Sequence, residues 1–436
     1  MSGVSTTYRR LFRREVLDIC AFIFIADIVT GVPTPIFPLY ATGLGASLGF
    51  LGVLTATLGL GRLVSALPVG MLSDRLDRKS VLVGGMVMFA VAFVAYAASP
   101  SAEWLIVPRL LQAVAMVATF PLGVAYIGDV VETRDRGAAI GVYTAAMGSG
   151  FAVGPLIGSW VGATAGYPTA YLAGAVVAVA GAGFGVWRLV RMKPGGGGGG
   201  SIGSGLVDLG ALRSLAREPA MLMACIANIA MTLSMTGAIF TYFPIYASAA
   251  GISTVTIGTL FAWRSIASAS GRIPMGPLST RIPAAWTLSG VLLAEAAIDV
   301  AIAHTTSAPT LTVLLILEGI GFGVFLVSAQ SAVATASGTH NRGAAVGMFW
   351  MAGSVGELFG PVALGLVAES LGLIAVFQSV AAAVTVGAVL VAALGVYRLR
   401  GISGKDAREH GEVDVAAGDD THHGAVASEP LQAGRH

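Results

Sequence analysis

Eight ionisable side chains lie inside long apolar stretches of this sequence: Asp27, Arg62, Arg109, Arg264, Glu295, Asp299, Glu318 and Glu357. In hydrocarbon each such group costs about 2.5–3.5 kcal/mol on insertion scales. Groups that persist there face a cavity, pair with one another, or carry ions. The chemistry they offer is reversible protonation, because a carboxyl group out of water holds its proton more tightly and a neighbouring guanidinium opposes that. Glu295 and Asp299 stand four apart, so on a helix they share one face and can pair with Arg264. Glu357 is placed to reach a cavity or Arg62. No Ser/His/Asp set or metal-spaced cluster falls in these stretches, so the chain does not read as an enzyme and has no visible metal site.

The elements that must position these groups follow from composition. The chain has 436 residues, 55% hydrophobic and 11% charged. Soluble domains carry about 25% charged residues, and one aqueous core cannot bury this apolar excess. A soluble enzyme, a disordered chain and a nucleic-acid binder are excluded; the net charge of +2 marks no anionic partner. Cys20 and Cys225 imply no disulfide framework. The bilayer is the solvent that accounts for the excess.

A membrane-spanning helix needs about 20 apolar residues. Charges and Gly/Pro clusters cut the chain into twelve such runs, at 16–40, 50–72, 80–98, 103–127, 137–162, 168–190, 220–246, 253–277, 284–303, 309–332, 343–367 and 372–396. Lys and Arg cluster in alternate connections, as at Arg75, Arg78 and Lys79, or Arg134 and Arg136. The intervening connections lack both residue types. The positive-inside rule then puts both termini in the cytoplasm of a multi-pass protein of the cell membrane. The Arg-rich start resembles a signal peptide, but the following run is too long and carries Asp27, so it reads as a retained first helix. The Gly-rich segment at 194–205 lacks the Gly-Lys-Ser/Thr of a phosphate loop and reads as a flexible linker. The expected organisation is a six-helix bundle at 1–190, a cytoplasmic linker at 191–218, a second bundle at 219–398, and a disordered tail at 399–436.

Residues n and n+206 match in three separated blocks. FPLYA at 37–41 meets FPIYA at 243–247, GMLSDRL at 70–76 meets GPLSTRI at 276–282, and RGAAIG at 136–141 meets RGAAVG at 342–347. The two halves are therefore parallel repeats, an architecture of secondary transporters whose site lies between halves near the midplane.

With these motifs in view, the chain resembles a major facilitator superfamily transporter over roughly residues 15–398. GMLSDRLDRKSVL at 70–82 is similar to the signature between helices two and three, with Gly70, Asp74, Arg75, Arg78 and Lys79 in matching positions and Asp77 where glycine is usual. The resemblance implies a gate in which Asp74 caps helix eleven, near Arg342, and the basic residues pair with Asp129. Helix-terminal electrostatics support such a cap. RLLQA at 109–113 resembles the helix-four motif through Arg109 and Gln112. Gly141, Gly150, Gly154, Pro155 and Gly158 follow the helix-five pattern of twelve-helix drug:proton antiporters, with Ser159 replacing the last glycine.

In the resembled all-α fold, two pseudo-symmetric six-helix bundles surround a cavity lined by helices one, four, seven and ten. That implies Asp27 and Glu318 as proton carriers, Arg109 as counter-charge, Gln112 as the repeat mate of Glu318, and Tyr242 and Phe325 as stacking surfaces for substrate. The expected function is proton-coupled efflux of a small hydrophobic or amphipathic compound by alternating access, by a monomer. No cofactor is expected beyond the proton motive force, and no partners beyond substrate, protons and lipid. The alternative is proton-coupled transport of a polar metabolite such as a sugar or organic acid. A non-transporting receptor or scaffold on the same fold is a further alternative.

Overall fold

In the computed structural model the described residues are 14–131, 135–190, 213–279, 281–337 and 342–419; the side chains of Asp74, residues 136–138, 276–277, Arg342 and residues 398–419 lie outside the description. Backbone polar groups have no water to bind in a bilayer core, so a spanning chain must satisfy them within its own helix. All twelve expected runs are helices: α1 Arg14–Gly43, α2 Leu48–Arg75, α3 Arg78–Ala97, α4 Ile106–Val130, α5 Arg136–Ala165, α6 Tyr167–Arg188, α7 Pro219–Ala249, α8 Thr254–Leu278, α9 Ala284–Ala303, α10 Ala308–Ser337, α11 Arg342–Leu371 and α12 Leu373–Asp419. Among the described residues eleven are long and apolar enough to cross a membrane. The other, α8, is 25 residues long but carries Arg264 and Arg272. Large apolar side chains such as Val64, Leu67, Val176, Trp187 and Leu366 face outward, as a lipid-solvated surface requires.

The repeat carries through to the backbone. α3 and α9 have the same bounds after a shift of 206, and so do α5 and α11. Ser47 Oγ caps α2 by accepting from Phe50 N, and its mate Ser253 Oγ caps α8 by accepting from Thr256 N, each at 3.1 Å. The four glycines with positive φ are two mate pairs, Gly45 with Gly251 and Gly166 with Gly372. Those connections turn through the left-handed region, where a side chain is strained.

Two helices depart from regular α geometry, and they are mates. α1 breaks at Val32, where Pro33, Pro35 and Pro38 crowd the sequence. α7 widens into a π-helical stretch over Leu233–Tyr242 before Pro244. Such widened turns recur at functional sites.

Close backbone approaches set the seams. Within the first half, a Cβ on Gly150, Gly154 or Gly158 of α5 would collide with the α1 backbone at Phe24, Ile28 and Val32. Between halves, Gly52 of α2 lies against Pro361 O of α11, and its mate Gly258 of α8 lies against Pro155 O of α5. Small residues allow these contacts, and each proline leaves a backbone bend where the helices meet. Gly141 and Gly70 have open space instead.

The expected linker at 191–218 lies mostly outside the described residues. The helix of α12 continues to Asp419, so part of the tail expected to be disordered has helical backbone. Its Ala, Glu, Lys and Arg content, together with continuity from a membrane helix that supplies the nucleus, favours that extension.

Candidate functional site

Between the halves lies a cavity of about 170 Å³, lined from α1, α2, α4, α5, α7 and α11. Pro33 and Phe37 enter from α1 just past its break. Arg62 comes from α2, Arg109, Gln112 and Met116 from α4, Phe151 from α5, Met235 and Phe240 from the widened part of α7, and Glu357 from α11. Most of this wall is apolar or aromatic, and the charges on it are few.

Arg109 and Gln112 stand three apart and so share a face of α4. Gln112 Oε1 accepts from Tyr96 Oη at 2.8 Å and from Arg109 Nη1 at 3.5 Å. The Arg109 guanidinium carbon sits 3.4 Å from the Phe37 ring centroid, a cation–π contact. Among the described residues no carboxylate lies within ion-pair distance of Arg109, and its Nε has no hydrogen-bond partner. Arg62 differs: it pairs with Glu357 across the seam between halves. The lining therefore carries one more cation than anion.

The other expected site residues lie elsewhere. Asp27 is buried between α1 and α5, where its Oδ2 accepts from Phe151 N at 2.7 Å; the cation that faces it is Arg272 of α8. Glu318 is wholly buried in the second half and paired with Arg264 of α8. Arg109 thus serves neither carboxylate as counter-charge. Tyr242 Oη donates to Pro361 O at 3.0 Å or to Leu48 O at 3.1 Å, so it ties the outer ends of the halves together instead of lining the cavity. Phe325 packs on Phe322 inside the second half. The stacking surfaces on the cavity wall are Phe37, Phe151 and Phe240, and the last two stack on each other across the halves with centroids 6.0 Å apart. Helix α10 contributes nothing to the lining; α2 and α11 supply the pair Arg62–Glu357.

The helix-two/three motif forms a strapped end. Arg78 Nε meets Asp129 Oδ2 at 2.6 Å, joining α3 to α4. Lys79 Nζ donates to Val186 O at 2.7 Å, where α6 ends. Asp77 caps α3 by accepting from Ser80 N at 2.8 Å; an aspartate at this position does a cap's work. Arg75 is exposed. The Asp74 carboxylate, expected to cap helix eleven, is outside the described residues.

A twelve-helix bundle of two repeats around a central cavity leaves few families open, and the comparisons decide among them. The family model described as Major Facilitator Superfamily matches residues 19–262 and 247–430. The chain belongs to the major facilitator superfamily. A major-facilitator-type transporter of Methanocaldococcus jannaschii is 22% identical over 365 residues, 83% of this chain and 92% of that one. The quinolone resistance protein NorA of Staphylococcus aureus is 27% identical over 154 residues, 35% of this chain and 40% of NorA. Among solved structures, the nucleoside transporter NupG superposes with a TM-score of 0.72 at 16% identity, over 87% of this chain and 99% of that chain. At that identity the likeness concerns the fold. As a facilitator-family member, the chain is a multi-pass membrane transporter acting on a small molecule.

Two pairs of candidate residues had weak signals in the sequence. Phe37 and Phe240 look like any other aromatic residue of an apolar run until Pro33 and the widened α7 turn them inward. Glu295 and Asp299, set on a peripheral helix, are brought against Ser234 in the second half.

Proposed function

We propose that this facilitator exports small amphipathic compounds bearing an anionic group, driven by protons entering in the opposite direction. The observation that carries the reading is Arg109, a buried guanidinium on a mixed apolar and polar cavity wall, with no carboxylate partner among the described residues. A charge held out of water is costly until an opposite charge joins it, so a carboxylate-bearing substrate would complete the site. The aromatic faces of Phe37, Phe151 and Phe240 suit its apolar body. The helix-five glycine pattern and the similarity to NorA support export. One charge moving down about 100 mV releases about 2.3 kcal/mol, enough for about a fifty-fold gradient at 1.36 kcal/mol per decade. The strapped basic end faces the cytoplasm by the positive-inside rule.

A second reading, transport of a polar metabolite or organic acid, is favoured by Gln112 and by the threonines Thr30, Thr34, Thr55 and Thr236 on the same wall. One experiment addresses both. Purified protein in vesicles is given a pH gradient of about 1.7 units, which at 1.36 kcal/mol per unit supplies the same energy, and uptake is followed for a fluorescent quinolone carboxylate, for ethidium and for lactate. The amphipathic anion should accumulate about fifty-fold in the wild type and not in Arg109→Gln. Accumulation of lactate alone would select the second reading. Equal accumulation by Arg109→Gln would remove the guanidinium from substrate binding.

A further inference from the structure

Behind the cavity, inside the second half, α7, α8, α9 and α10 bring five polar side chains together: Ser234, Arg264, Glu295, Asp299 and Glu318. All five are at most 3% exposed. Arg264 pairs with Glu318. Ser234 Oγ lies 2.8 Å from Glu295 Oε1 and 3.1 Å from Asp299 Oδ2. α12, which packs on α9, buries Val376, Val380, Val384 and Val391, and its residues 373–396 include no titratable group. Beyond Arg264 the next cation on α8 is Arg272, which faces Asp27 of the first half.

We propose that Glu295, Asp299 and Glu318, with Arg264 and Ser234, form a proton-binding site that drives the transport cycle from behind the substrate cavity. The inference rests on the coupled-export reading above and names the residues that would carry its protons. Three observations support it. First, three carboxyl groups face one guanidinium, so full ionisation would leave two uncompensated negative charges in a dry interior, which the protein cannot sustain. Second, a serine hydroxyl has one proton to give. With both acids ionised, that one proton would be shared between two carboxylate oxygens in a dry interior, whereas a proton on either carboxyl gives each contact a full hydrogen bond. Glu295 Oε2 and Asp299 Oδ1 have no hydrogen-bond partner, so each buried carboxyl retains an oxygen free to receive a proton. Third, the fold does not need these groups. Their mates at n−206 are Ile28, Leu58, Phe89, Phe93 and Gln112, all uncharged. The first half fills the corresponding space with rings: Phe89 packs on Phe93, and Phe93 on Tyr171. Charge has been placed in one copy of a seam that the other copy closes without it.

The site also has a physical route to the cavity. Ser234 precedes Met235 and Thr236, which line the cavity, on the same widened segment of α7. Arg264 Cζ lies 5.0 Å from the centroid of Phe240, another lining residue. When a proton from the aqueous phase adds to a carboxylate oxygen, one negative charge disappears and the pull on Arg264 and Ser234 weakens. When it leaves from that oxygen the pull returns. Both partners are joined to the lining through α7 and Phe240, so protonation state and cavity shape are coupled. A metal cation fits less well, because the Arg264 guanidinium already occupies the positive position.

The test begins without a substrate. Infrared difference spectra of the purified protein across a pH titration report protonated carboxyl groups directly. Wild type should show titrating carboxyl bands, and Glu295→Gln and Asp299→Asn should each lose one. Ser234→Ala, which removes no carboxyl, should shift the bands without deleting them and covers the case that an acid variant fails to fold. In vesicles, pH-driven accumulation of the quinolone carboxylate should fall from about fifty-fold to about one in either acid variant, while its gradient-free exchange persists. Titrating bands that are identical in wild type and in all three variants would overturn the proposal. So would bands that respond to sodium and not to pH. If the infrared bands behave as expected but the wild type accumulates no probe, the proton site stands and the export reading fails.

Discussion

The mate contacts Gly52–Pro361 and Gly258–Pro155 give a way to tilt the carrier between conformations. Both lie where the halves meet toward the ends of α2 and α8 capped by Ser47 and Ser253. A Cβ at position 258 would fall 2.7 Å from Pro155 O, and one at 52 would fall 2.9 Å from Tyr242 Oη and closer still to Pro361 O. An ordinary carbon–oxygen contact is about 3.4 Å; at 52 the Pro361 carbonyl stands in the way, and at 258 the Ser159 side chain and the Pro155 carbonyl do, and the carbonyls cannot turn aside. Forcing such a methyl into a packed seam costs about 2 kcal/mol. If alternating access separates these helices, the cost falls on the described conformation alone. Gly52→Ala or Gly258→Ala should then shift the equilibrium about thirty-fold toward the other state, at 1.36 kcal/mol per decade. Spin labels at Ala165→Cys and Ser370→Cys, with Cys20 and Cys225 replaced by alanine, would read the opening of that end as a second, longer distance population. Gly290→Ala, where nothing lies within 4 Å, is the control. An unchanged distance distribution in both seam variants would refute the reasoning, because the seam would then not part during the cycle.

Two further outcomes follow from the geometry. Asp27→Ala should lower thermal stability in detergent by about 1–3 kcal/mol, because it removes a buried acceptor from Phe151 N; Asp27→Asn keeps an acceptor oxygen and should lose less, and equal melting of both variants and wild type would show that the bond holds nothing. A double-mutant cycle on Arg78→Ala and Asp129→Asn should give a coupling of about 1 kcal/mol, as for a partly exposed pair; a coupling near zero would make the pair a topology signal only.

The helices and their repeat were legible because hydrophobic length and charge placement are written locally: every run of about 20 apolar residues became a helix, and the 206-residue shift reproduces even the positive-φ glycines. Arg109, Gln112 and the Arg62–Glu357 contact were also readable, since polar residues on apolar helices had few places to go. The direction in which a buried carboxyl points was less so. Asp27 and Glu318 look like cavity groups from their depth, yet Asp27 is taken up by Phe151 N of α5 and Glu318 by Arg264 of α8, partners on other helices that no single-residue pattern encodes. Glu295 and Asp299 looked peripheral because α9 is peripheral. Their importance depends on Ser234 and Arg264 arriving from two other helices.

The straps at the basic end have a mechanical consequence. Arg78–Asp129, Lys79–Val186 and Arg188–Asp18 each join helices of the first half to one another. Four of the six cylinders, α1, α3, α4 and α6, are thus clamped together at their tips and resist splaying as one lever would. None of these clamps crosses to the second half, so relative movement of the halves would leave them intact and would be resisted by the Arg62–Glu357 pair and the glycine–proline contacts.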